Sequence, residues 1–248
     1  MKFYELADRI TNISKVLRKI ERKMDRSKRS TNPENFNPDG TVKKSGSKKM
    51  KWRFSKRYHK LALFRRELFR KQADTRKYQH ECMANEIIEM GDKFYIETMN
   101  FKALQKRAKE TAKDKRGKYR NKKRYGKSIG NKAPAMLIAI INRKLKRYGT
   151  SITEIDTQKA RASQYNHLSK NYHKKKLSER WNDFGNGLKV QRDLYSAFLI
   201  MNTNETCDGF EQSKCEERFE TFLKMHDKEI ERLRQFKQFH ILPNCMGI

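Results

Sequence analysis

Apolar residues recur at intervals of three and four near the start of the chain: Leu6, Ile10, Ile13, Leu17, Ile20 and Met24. That spacing predicts an amphipathic helix over residues 3–24. Its opposite face carries Arg9, Lys15, Arg18, Lys19 and Arg22. From Asp25 to Met50 the period lapses into turn chemistry, Asn32-Pro33, Asn37-Pro38-Asp39-Gly40 and Ser45-Gly46-Ser47, and a loop is expected. The stripe resumes between Trp52 and Met90 through Phe54, Tyr58, Leu61, Phe64, Leu68, Tyr78, Cys82 and Ile87. It predicts a second helix, roughly 55–60 Å long at ~1.5 Å per residue. Together the two make a long basic helical hairpin.

Beyond Gly91-Asp92 the pattern shortens. Phe94, Tyr95 and Ile96 run without interruption inside Lys93 to Thr98, which reads as a strand buried on both faces. One helical turn is expected at Phe101 to Leu104, and Gly117 and Gly126 break any long helix after it. Ala133 to Tyr148 reads as a helix, with Pro134 in its first turn and Gly149 in the left-handed position after its end. Ile152 to Ile155 is a second short strand, and 157–189 reads as irregular and basic. A helix from Val190 to Asn202 carries Asp193 in its first turn. A last amphipathic helix, Glu211 to Phe239, uses Phe219, Phe222, Leu223, Ile230 and Leu233. The fold class is therefore mixed α/β, predominantly helical. Two strands make no independent sheet, so the sheet is expected to be completed from elsewhere or to lack an N-terminal part.

Charge changes this picture most. The 248 residues carry 60 Lys+Arg against 29 Asp+Glu, a formal net charge of +31. The mean hydropathy is −1.06 and the pI about 10.1. Such a chain seeks a polyanion, and nucleic acid is the commonest one. A basic membrane-surface protein is the weaker alternative, because the apolar stripes look core-directed. With 14 Phe, 10 Tyr and 2 Trp the chain is too aromatic for a disordered tail. Met1 to Asp8 holds acids where a secretory leader would be apolar, and the longest apolar run, Ala135 to Ile141, is too short to span a bilayer. A soluble intracellular protein is expected. Cys82, Cys207, Cys215 and Cys245 form no CxxC pair and read as reduced thiols, with no zinc expected.

Between Lys102 and Lys127 lie thirteen Lys/Arg against Glu110 and Asp114. Lys106, Arg107, Lys115, Arg116, Lys118, Arg120, Lys122, Lys123 and Arg124 are the candidate phosphate-binding residues, and Tyr119 and Tyr125 are placed to stack on unpaired bases. The bland alternative is a solvated, disordered run. His80 reads as a surface group on the polar side of the second helix. His167 and His173 have metal-compatible spacing, but no further ligand is evident and no metal is expected there. Glu97 at the end of Phe94-Tyr95-Ile96 is either a salt-bridge partner of Lys102 or Lys106 or a metal ligand. Asp193 reads by default as a helix N-terminal acid favoured by the macrodipole.

Five segments, taken in order, resemble the C-terminal half of TnpB-type (OrfB) transposon-encoded proteins, RNA-guided nucleases with a RuvC-like domain. They are Ser55-Lys56-Arg57-Tyr58 opening a long helix with Arg76 and His80; Tyr95-Ile96-Glu97-Thr98-Met99-Asn100-Phe101-Lys102; Asn142-Arg143-Lys144-Leu145-Lys146-Arg147-Tyr148-Gly149; Ala162-Ser163-Gln164; and Arg192-Asp193-Leu194-Tyr195-Ser196-Ala197. The resemblance covers nearly the whole chain. It implies a partial RNase H-like (RuvC-type) domain. Residues 1–90 would be its inserted basic hairpin, 91–203 the core with a degenerate zinc-ribbon region, and 204–248 a C-terminal helix and tail. It also implies Glu97 and Asp193 as catalytic ligands of Mg²⁺, with DNA and guide-type RNA as partners. The setting would be a prokaryotic cytoplasm, with nucleoid association when DNA is bound.

Several family features are missing. No Asp-x-Gly motif supplies a first aspartate, because Met1 falls just after its place. No cysteine lies between Ser163 and Asp193, and Asp193 is followed by Leu-Tyr-Ser-Ala rather than the family's Asn-Ala-Ala. The expectation is a truncated transposase fragment that binds nucleic acid and is a poor nuclease, or none, by itself. The alternatives are a non-enzymatic nucleic-acid-binding accessory protein, and one half of a split nuclease completed by a second polypeptide.

Overall fold

The computed structural model describes residues 4–44, 50–120, 122, 125–176, 178–185, 187–239 and 247–248. The fold is mixed α/β and predominantly helical. The chain divides into two compact units, one of Leu6–Ala84 with Lys127–Leu137, the other of Met1–Glu5, Asn85–Gly126 and Ile138–Ile248.

In the first unit, α1 spans Ser14–Thr31 rather than residues 3–24. The Asn12 side chain accepts from the Ser14 amide at 3.0 Å, and Ala7 takes a left-handed φ of 48°. Such local bonding competes with helix and delays its start. The preceding segment instead lies along α2 (Lys56–Ile88), where Gln72 donates to the Thr11 carbonyl at 2.7 Å and Gln79 to Asp8. α1 ends at Asn32, before Pro33, and the fully buried Asn32 amide bonds Lys28 O at 2.9 Å and Arg53 O at 2.8 Å. The expected loop then makes a tight reversal, with Phe36 bridging Val42 around Gly40 at φ 79°. Ser55 caps α2, its hydroxyl accepting from the Tyr58 amide at 3.1 Å.

Two readings of α2 are corrected. Phe64 and Tyr78 from its predicted apolar stripe are 51% and 66% exposed. His80, expected at the surface, is fully buried, and its Nε2 bonds the Lys132 carbonyl at 2.9 Å. That carbonyl belongs to α4 (Gly126–Lys132), which also receives Arg76 Nε at Asn131 O, 2.6 Å. The last residues of a helix leave carbonyls without helical partners, and two α2 side chains satisfy them here.

Among the described residues, the second unit holds six short strands in three two-stranded ladders. β1 (Tyr95–Glu97) pairs in parallel with β2 (Thr153–Ile155), with Glu97 opposite Ile155. Between them run α3 (Phe101–Gln105) and α5 (Pro134–Leu145). Gly149 takes the expected left-handed φ, 72°. The stretch 157–189 is more ordered than its composition suggested. It holds α6 (Thr157–Ala160), capped by Asp156, the ladder of β3 (Tyr165–Asn166) with β4 (Asn171–Tyr172), and β5 (Trp181–Asp183). β5 turns through Gly185 and Gly187, at φ 84° and 80°, into β6 (Lys189–Gln191). Short polar strands separated by asparagine and glycine turns carry too few alternations for a period to register.

α7 (Arg192–Met201) and α8 (Gln212–Phe239) close the core. Val190, Tyr195, Phe198, Leu199, Cys215 and Phe222 are each no more than 2% exposed, and the Phe198 and Phe222 rings lie 4.5 Å apart. Among the described residues no helix is long and apolar enough to cross a membrane.

Candidate functional site

Glu97 reaches its place because Tyr95 and Ile96 precede it in β1, after Phe94, and the chain is pinned immediately afterwards. Thr98 donates from its amide and its hydroxyl to Ile155 O, at 3.2 and 3.1 Å, and its own carbonyl accepts from Thr157 Oγ1 at 3.1 Å. In the parallel register Glu97 shares a sheet face with the buried Ile155. The Glu97 side chain is half-buried and, among the described residues, has no ion pair with Lys102, Lys106 or any other cation.

Asp193 is set by the start of α7. The fully buried Gln191 caps the helix, its Oε1 accepting from the Leu194 amide at 2.8 Å, and its Nε2 points to Asp193 Oδ2 at 3.4 Å. Arg192 lays Nε and Nη2 on Asp193 Oδ1, both at 3.3 Å, and anchors Nη1 on Glu179 O at 3.0 Å. The macrodipole favours an acid in this turn.

The Glu97 carboxyl is pushed above its ordinary range, first by burial and then by the negative charge of Asp193. Glu97 is half-buried and has no cation partner among the described residues, whereas Asp193 is partly neutralised by Arg192. Glu97, but not Asp193, lines a cleft of about 560 Å³ whose walls are mostly apolar side chains, including Ile96, Met99, Ala197 and Met201. The buried Tyr4 hydroxyl has no protein partner there.

Glu97 and Asp193 fit one Mg²⁺ weakly. Both supply carboxylate oxygen, the donor that Mg²⁺ prefers, and water would fill the remaining positions. No group of three or more His, Cys, Asp or Glu side chains suited to a metal occurs among the described residues. Sequence reasoning did not foresee the roles of Gln191 and Arg192, although both adjoin Asp193. The signal available was an arginine beside a carboxylate in a helix's first turn.

The cationic stretch is a hairpin, not a featureless run. Lys113 bridges Tyr119, Asp114 N bonds Lys118 O at 2.9 Å, and Gly117 turns the chain at φ 74°. The Asp114 carboxylate accepts from the Arg116 and Lys118 amides at 2.9 and 3.0 Å, so one of only two acids in the stretch builds the turn. Lys106, Arg107, Lys115, Arg116, Lys118 and Arg120 are exposed, Tyr119 is 67% exposed, and half-buried Lys122 bonds Lys109 O at 3.1 Å. Lys123 and Arg124 lie outside the described residues.

The histidines take other parts. His167 is fully buried among Phe184, Phe198 and Phe219, with Nδ1 2.6 Å from the Tyr195 hydroxyl. Burial holds its pKa down, so the ring is neutral near pH 7. His173 is exposed. Cys82, Cys207 and Cys215 are free thiols, and Cys245 lies outside the described residues.

Comparison of the chain with protein-family models and with curated proteins finds no match.

Proposed function

We propose that this chain is a nucleic-acid-binding protein of TnpB type, built on part of an RNase H-like domain and carrying two of the carboxylates of a RuvC-type metal site. The observation that carries this reading is the packing of α7, which carries Asp193 in its first turn, against β1, which Glu97 ends. The charge of Asp193 adds to burial in raising the Glu97 carboxyl. The parallel β1–β2 pair, which presents Glu97 at its end, supports the same reading. So does the exposed cationic hairpin at residues 106–122, which presents charge and an exposed tyrosine to a phosphate backbone.

Within this reading Glu97 and Asp193 hold Mg²⁺, which when bound would polarise a phosphodiester oxygen. Gln191 and Arg192 fix the Asp193 carboxylate. Arg192 also neutralises it in part, so Mg²⁺ must compete with a guanidinium. Two-metal cleavage requires about three or four carboxylates around its ions, and this chain brings two together. By itself it therefore binds DNA and guide-type RNA without cutting.

The test is Mg²⁺-dependent cleavage and binding of single- and double-stranded DNA by the purified protein, with and without co-purified RNA. The expected result is RNA co-purification, nucleic-acid binding and no cleavage. Glu97→Ala and Asp193→Ala should leave affinity intact, while Lys118→Glu, Arg120→Glu and Lys122→Glu together weaken it at least tenfold. Robust cutting by the chain alone, or affinity indifferent to the hairpin reversal, would overturn the proposal.

A further inference from the structure

The helical unit contains a polar cleft, of about 460 Å³, between the C-terminal half of α1 and the start of α2. Among the described residues, each that lines it is either cationic or carries a hydroxyl, and none carries a carboxylate or an aromatic ring. The cations are Lys23, Arg26 and Arg57, and all three are exposed. The floor is tied by Ser27 and Ser55, whose hydroxyls meet at 2.7 Å across the two helices, and Ser30 stands beside them.

The acids of this unit are placed elsewhere. Asp25 pairs with Arg29 at 2.9 Å, Glu21 with Arg65 at 3.3 Å, Glu34 with Arg53 at 3.1 Å, and Glu67 and Asp74 with Arg70 at 2.7 and 2.5 Å. Lys23, Arg26 and Arg57 have no such partner among the described residues. Three cations left facing one cleft repel one another unless an anion sits among them. The N-terminal end of α2, thirty-three residues long, adds the partial positive charge of its first turn at the same place.

We infer that this cleft binds phosphate groups of a nucleic-acid backbone, independently of base sequence. The inference rests on the preceding reading only for the identity of the polymer and not on the carboxylate pair. Guanidinium, ammonium and hydroxyl donors match phosphate oxygens, with arginine suited to two-pronged contact. The absence of a lining ring removes any platform for a base, so the site reads charge and not sequence.

The same phosphate chemistry is offered by free inorganic phosphate, and one experiment separates the sources. The full chain is titrated with a mixed-sequence single-stranded DNA oligonucleotide over a range of salt concentrations. Lys23→Gln/Arg26→Gln/Arg57→Gln is compared with a variant of equal charge change on exposed α2 positions away from the cleft, Arg66→Gln/Lys71→Gln/Lys77→Gln. Amide resonances of Ser55 to Arg57 are followed in parallel with DNA and with inorganic phosphate. The cleft variant should lose at least tenfold more affinity than the control, with its log K against log salt slope shallower by about 2–3. DNA should shift the cleft amides at concentrations where phosphate does not. Equal losses in the two variants, with the hairpin reversal still weakening binding, would overturn this site alone. Loss in none of the three variants would overturn the nucleic-acid reading as well. Cleft amides that respond to inorganic phosphate but not to DNA would assign the site to the free anion and also refute the inference.

Discussion

Ionising the Glu97 carboxyl is harder in the folded chain than in the unfolded one, because the group is half-buried and faces the Asp193 charge. An acid with a raised folded pKa leaves stability untouched below its unfolded value of 4.5 and lowers stability as pH climbs through the folded one. Glu97→Gln should therefore raise the melting temperature near pH 7, and the gain should vanish below about pH 4; scanning calorimetry across that range checks it. A second prediction concerns the thiols. Cys215 is fully buried and burial pushes its pKa up to about 11, whereas Cys82 and Cys207 are partly accessible. Alkylation of the native protein near neutral pH should mark Cys82 and Cys207 well before Cys215, read by peptide mass mapping. Residue identity alone gave Glu97 two readings, ion pair or metal ligand. The geometry removes the ion pair, because Lys102 and Lys106 do not reach it.

At the scale of elements, His80 ties α2 to the last carbonyl of α4, and Phe222 fills the centre of the aromatic core. His80→Ala should cost about 1–3 kcal/mol by leaving the Lys132 carbonyl with one fewer donor. Phe222→Ala should cost about 3–5 kcal/mol through the cavity it leaves. Urea denaturation measures both. The two differ in how well they could be foreseen. Phe222 stood in a clean three-four stripe, and α8 begins within a residue of its expected start. His80 stood among polar neighbours, and the element that buries it, α4, consists of Gly-Lys-Ser-Ile-Gly-Asn-Lys, whose composition does not suggest a helix. Long periodic helices, the two strands β1 and β2 and the Gly149 cap were legible because each has a strong local signal, whereas the parallel pairing of those strands has none. The ladders β3–β4 and β5–β6 were not, since two- and three-residue strands owe their pairing to turns at Asn166 and Gly185. The late start of α1 was missed for a related reason: the Asn12 side chain bonds the Ser14 amide two residues on, and such local bonding competes with an apolar helical period.

For the molecule as a whole, the excess of positive charge is not spread as an indifferent coat. Part of it is mounted on a hairpin whose turn is organised by Asp114, and part faces an acid-free cleft beside Ser27 and Ser55. Binding to nucleic acid should therefore weaken steeply with salt, and each phosphate contact removed should make log K against log salt shallower by about 0.9. The Glu97–Asp193 pair is smaller in scale, yet under the proposed function it is what would distinguish a partial nuclease from a purely cationic binder. Its most direct test follows the Glu97 carboxyl carbon by NMR through a pH titration, in the wild type, in Asp193→Asn, and in the wild type with Mg²⁺. The account predicts a raised midpoint that falls when Asp193 is neutralised and falls again when Mg²⁺ is added. A midpoint in the ordinary glutamate range, indifferent to both changes, would contradict it.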